Sequence, residues 1–89
     1  PGGLYNDIMQ IGSSRTVHSG SKQVALYMQD IGVSGGSVPT ALIKIDGSLS
    51  IIKVGKSEKS KQGFWVLIVN VQNQGAAKQR WAQVCVTGP

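Results

Sequence analysis

The chain is short of cysteine, acid, histidine and aromatic side chains, and each shortage excludes something. One Cys rules out an internal disulfide framework and a thiolate zinc cluster. Four acidic residues are scattered, with no spacing that suggests a two-carboxylate mechanism. His18 is the only His and has no second His, Cys or carboxylate cluster beside it, so no metal site is implied. Charged residues make up 15% of the chain, well below the roughly 25% of an average soluble domain, which excludes a coiled coil and an acidic disordered tail. The longest apolar run, Phe64 to Val69, is far short of the roughly 20 residues of a spanning helix, so no transmembrane segment is expected. With 89 residues, two domains would each be too small to bury a core, so 1–89 is read as a single domain.

Glycine, serine, glutamine and β-branched residues fill the remainder. Turn signals recur at short intervals: Gly12-Ser13-Ser14, Ser19-Gly20-Ser21, Gly32 to Ser37, Asp46-Gly47, Gly55 to Gly63 and Asn73-Gln74-Gly75. Between them lie short segments rich in Val, Ile, Thr and aromatics, the pattern of a β-rich domain. The fold expected is mainly β, a small antiparallel β-sandwich or barrel-like domain with room for one or two short helices. An α+β arrangement with two helices is the alternative. No internal repeat is visible.

The clearest element is a hairpin, Ala41 to Ile45 running through Asp46-Gly47 into Leu49 to Val54. Asp-Gly tolerates the positive φ values of a tight two-residue turn. Pro39 lacks an amide donor and marks a strand start or an edge. Three segments fit both strand and helix. Leu4 to Ile11 is one. Ser21 to Ile31 is another, with Val24, Leu26 and Met28 inward as a strand, or Val24, Met28 and Ile31 on one helical face. Ala76 to Gln83 is the third, a good helix former that runs into the strand-like Val84 to Thr87.

Phe64-Trp65-Val66-Leu67-Ile68-Val69 is apolar at every position. A strand wet on one face alternates apolar with polar; this one is expected to be covered on both faces, by its own chain or by another. Phe64, Trp65, Leu67 and Val69 are therefore the candidate partner-binding residues, and an uncovered strand of this kind is an aggregation hazard.

The chain carries nine Lys or Arg, for a net charge of +5, and Lys53, Lys56, Lys59 and Lys61 fall within one short stretch interrupted only by Glu58. Read plainly, this is a solvated loop whose lysines supply solubility. Read functionally, it is a polyanion-binding site for an anionic surface or an acidic glycan. Nucleic acid is disfavoured: seven of the nine basic residues are Lys, whereas Arg is the better bidentate phosphate reader. Trp65 and Trp81, the only candidate stacking platforms, are expected in the core.

Catalysis would have to rest on Cys85, in Val84-Cys85-Val86, brought to His18 by the fold. The expected state of Cys85 is buried and inert, with an interchain disulfide as the alternative. Gly32 to Ser37 lacks the Lys-Ser/Thr ending of a phosphate-binding loop and reads as a connector. The chain starts Pro1-Gly2-Gly3 and ends Thr87-Gly88-Pro89, ends that fit a trimmed fragment or a mature product cut from a precursor.

These features point to a non-enzymatic binding or assembly module without cofactor, from a secreted, surface or particle-associated protein. Pilus, virion, toxin and lectin-like subunits share this composition. Another protein chain is the expected partner.

Overall fold

Segments of six to thirteen residues bounded by turns become strands, because each can bury one face only by pairing with its neighbours. The computed structural model describes residues 3–34 and 38–89. It contains β1 (Gly3–Gln10), β2 (Ser14–Ser19), β3 (Lys22–Ser34), β4 (Val38–Ile45), β5 (Ser48–Lys53), the short β6 (Ser57–Lys59), β7 (Trp65–Gln72) and β8 (Trp81–Thr87). Two four-stranded antiparallel sheets result, ordered β1-β8-β7-β6 and β2-β3-β4-β5. They form a small β-sandwich, as the composition predicts, and not a closed barrel. The α+β alternative fails: among the described residues the only helical piece is a 3-10 turn at Ala77–Gln79.

Leu4 to Ile11 and Ser21 to Ile31 resolve as strand, Ala76 to Gln83 divides between a 3-10 turn and the start of β8, and Ser21 to Ile31 shows why it fitted two templates. Val24, Leu26 and Met28 alternate inward along β3, and Ile31 is also fully buried. A bulge between Met28 and Asp30 shifts the phase by one residue and creates the helix-like Met28–Ile31 spacing. In the third segment, local helix propensity survives only as the 3-10 turn. Trp81 onward is claimed by pairing with both β1 and β7. Tertiary pairing overrides a weak local preference here.

The sandwich interior is made of Met9, Val24, Leu26, Met28, Ile31, Ile43, Phe64, Val66, Ile68, Val84 and Val86, each essentially without exposure. The Asp46-Gly47 turn forms as expected, with φ of 51° and 85°. Pro39 stands near the start of β4. Of the Gly-rich connector, positions 35–37 lie outside the described residues, and Gly32 belongs to β3.

The two connections that cross from one sheet to the other, after β1 and after β5, are anchored in the same way. At one, the Gly12 amide donates to the Met28 carbonyl at 2.8 Å and the Met28 amide to the Ser13 carbonyl at 2.9 Å. At the other, the Gly55 amide donates to the Ile68 carbonyl at 2.7 Å and the Ile68 amide to the Lys56 carbonyl at 3.1 Å. A bulge follows each, next to Met28 in β3 and next to Ile68 in β7. After each bulge an Asp30 or Asn70 side chain accepts from the next backbone amide. The halves of the chain thus share a backbone device that their side chains do not advertise. Arg80 closes one end, donating to the Gly75 and Ile31 carbonyls at 2.9 and 3.4 Å.

Tyr5 packs against the core from β1, and its buried hydroxyl lies near the Arg15 side chain without a hydrogen bond of ordinary length. Burial raises the phenol pKa above its ordinary value; the Arg15 charge opposes this and Asp7 reinforces it. A raised phenol pKa means that the folded state favours the neutral form. That stability is present below the ordinary tyrosine value of about 10 and is lost as pH rises through the folded-state pKa. Tyr5→Phe is expected to be neutral or stabilising by up to ~1 kcal/mol at neutral pH, because no hydrogen bond is lost. It should also flatten the alkaline fall in the urea midpoint. An alkaline limb unchanged by Tyr5→Phe would contradict this.

Candidate functional site

Apolar residues at successive positions of β7 divide between two faces. Phe64, Val66 and Ile68 point inward and are fully buried. Trp65, Leu67 and Val69 fall on the outer face, where Trp65 is 45% and Val69 40% exposed and Leu67 is half-buried. The alternation was hidden because the outward positions are as apolar as the inward ones. Of the four candidate partner-binding residues, three share this face. Phe64 does not: it is wholly inside the sandwich, because it begins the inward set that continues through Val66 and Ile68.

The strand register builds the outer face of this sheet in rows. Lys59, Trp65 and Thr87 lie side by side, and Ser57, Leu67, Cys85 and Asn6 form the next row. Asn70, Gln83 and Ile8 follow, then Gln72, Trp81 and Gln10. Ile8 is 45% exposed. Val69 is the extra residue of the β7 bulge, and it and Asn70 both lie on the solvent side between inward Ile68 and Val71. The 3-10 turn lies against the last row only, where Gln10 Nε2 donates to the Lys78 carbonyl at 3.2 Å and Gln72 Nε2 to the Gln79 carbonyl at 3.3 Å; Ile8, Trp65 and Val69 stay exposed. Among the described residues of these rows Lys59, at the margin, is the only charged one, and its ammonium sits 5.7 Å from the Trp65 ring centre, within cation–π reach. Amides dominate the other end, with Gln83 Nε2 donating to Asn6 Oδ1 at 3.0 Å.

Both tryptophans therefore depart from the expected core position. Trp65 and the half-buried Trp81 stand on the outer face because their register partners, Thr87 and Gln72, do. Cys85 departs too. It is a free, half-buried thiol on the outer face, since Val84 and Val86 take the inward positions. His18 is exposed on the outer side of the other sheet, opposite Gln23. The two face away from each other across the sandwich, so the Cys85–His18 pairing that nucleophilic catalysis would need does not form.

The basic stretch is only partly a loop. Ser57–Lys59 pairs with β7 through Ser57–Leu67, Glu58–Val66 and Lys59–Trp65. Strand β6 edges one sheet and β5 edges the other, and they adjoin at one corner. Lys53, Lys56, Lys59 and Lys61 are all exposed along that narrow side. Lysines on edge strands also hinder edge-to-edge pairing with other chains.

The outer face of the second sheet is mixed. Tyr27, Leu49 and Ile51 are 40, 48 and 64% exposed, with Lys44 between Tyr27 and Leu49 in the register. A hollow of ≈ 190 Å³ lies beside Tyr27 and Lys44, and one of ≈ 170 Å³ beside Asp46 and Lys61. Both are below the ~300 Å³ at which small-molecule sites begin. No helix among the described residues is long and apolar enough to cross a membrane. No protein-family model, curated protein or solved structure matches this chain.

Proposed function

We propose that the chain is a non-enzymatic binding and assembly module that contacts another protein chain through the outer face of the β1-β8-β7-β6 sheet. One observation carries this reading: Trp65, Val69 and Ile8, exposed, and Leu67, half-buried, stand together on one nearly uncharged sheet face. Partly exposed tryptophan beside aliphatic and amide side chains suits a protein interface, where aromatic anchors supply much of the binding energy. A subunit of a secreted, surface-bound or particle-forming protein would use such a face.

A photo-crosslinking residue in place of Trp65, carried by the protein in its own cells, is expected to yield covalent adducts with a protein chain. The same residue in place of exposed Gln23 serves as control. Adducts at position 65 no more abundant than at position 23 would overturn the proposal.

The four-lysine side favours a second reading, a polyanion-binding module, because Lys53, Lys56, Lys59 and Lys61 are exposed together. Such binding, probed with heparin, weakens steeply as salt rises, through counterion release.

A further inference from the structure

We infer that the partner of this face is a second copy of the same chain, docked face to face about a two-fold axis near Cys85. The inference rests on the assembly reading above and names its partner. Charge supports it first. Two molecules of net charge +5 repel, so self-association needs a face free of like charge. The outer face of the β1-β8-β7-β6 sheet qualifies, because Lys59, the only charged residue in its described rows, lies at its margin over the Trp65 ring. The opposite face carries Lys44 and Lys53 among its apolar residues.

Size supports it next. Three strands of about seven residues and the three-residue β6, at ~4.8 Å spacing and ~3.4 Å per residue, give about 390 Å² in plan. That is about half of the ~800 Å² each partner gives a standard interface, which fits a weak, reversible dimer and not an obligate one. Finally, Cys85 sits on an inner strand between Asn6 and Leu67, near the middle of the patch. In an isologous interface, residues near the axis meet their own copies. Two Cys85 thiols would then lie within reach of a short bifunctional maleimide.

Sedimentation equilibrium of the purified protein tests this, with reductant present. A reversible monomer–dimer equilibrium is expected, strengthened by moderate salt because screening relieves the repulsion between basic molecules. Trp65→Lys should weaken it at least tenfold, and Ile51→Lys on the other face should leave it within twofold. If Trp65→Lys does not fold by circular dichroism, Asn70→Lys on the same face takes its place. A short bismaleimide should convert wild type to covalent dimer through Cys85. A monomer at all concentrations would overturn the second copy as partner, yet position-65 adducts with a different protein would leave the assembly reading standing. A dimer lost in Ile51→Lys but kept in Trp65→Lys would overturn this pairing.

Discussion

Phe64→Ala is expected to cost roughly 3–5 kcal/mol of stability, the range for truncating a fully buried aromatic. The ring is the only phenylalanine of the chain and has no exposure. Its backbone is pinned as well: the Phe64 amide donates to Ser60 Oγ at 3.0 Å, and the Ser60 amide donates to the Phe64 carbonyl at 2.7 Å. No rearrangement of solvent-facing residues can fill the resulting hole, because Val66 and Ile68 are already committed to the interior. A small domain holds only about 5–15 kcal/mol in total, so the variant should be partly or wholly unfolded near body temperature. Urea unfolding monitored by tryptophan fluorescence reads this. A loss below about 1 kcal/mol would mean that Phe64 is not the core residue described.

Asp46→Ala comes second, at roughly 2 kcal/mol, although the residue is exposed. Two costs combine. Asp46 has a φ of 51°, a conformation that Asp and Asn tolerate better than Ala. Its Oδ1 also accepts from the Ala25 amide at 2.9 Å while its own amide donates to the Ala25 carbonyl at 2.8 Å, extending the β3–β4 ladder one step past Ile45. Losing a hydrogen bond to a charged acceptor costs about 1.5–3 kcal/mol when its partner is left unpaired, and solvent access at this turn pulls the value toward the low end. Asp46→Asn keeps both the left-handed tolerance and the carbonyl acceptor, so it should recover most of the loss. Equal destabilisation by Ala and Asn would show that the carboxylate charge, and not the turn geometry, is what matters.

The sequence was most informative where chemistry is local. Asp46-Gly47 named its turn because few residue pairs accept two positive φ values. The regular turn spacing named the β class. It was least informative where pairing decides. A bulge cannot be seen before the partner strand is known, so Ser21 to Ile31 matched helix and strand equally. Phe64 to Val69 gave no face assignment, since outward Trp65, Leu67 and Val69 are as apolar as inward Phe64, Val66 and Ile68. The outward placement of Cys85 and Trp81 was readable in principle, because alternation through Ala82, Val84 and Val86 puts apolar side chains inward and Trp81, Gln83, Cys85 and Thr87 outward. The basic stretch was mistaken for loop because β6 has only three residues, all polar and exposed, and its strand character comes entirely from β7.

The pairing of β1 with β8 joins residues near opposite ends of the chain, such as Asn6 with Cys85. Hairpins β2-β3, β3-β4 and β4-β5 need only short loops to close, so one whole sheet can zip up while the rest is still being synthesised. The other sheet must wait for its inner strand β8, which follows the other seven strands in the chain. Until then β1 has no neighbour to pair with, and the inward side chains of β7 have no completed sheet to anchor them. Closing so long a loop is entropically slow. The late step in folding this protein should therefore be insertion of β8 between β1 and β7, and nascent chains stalled before Trp81 should be the ones that chaperones hold.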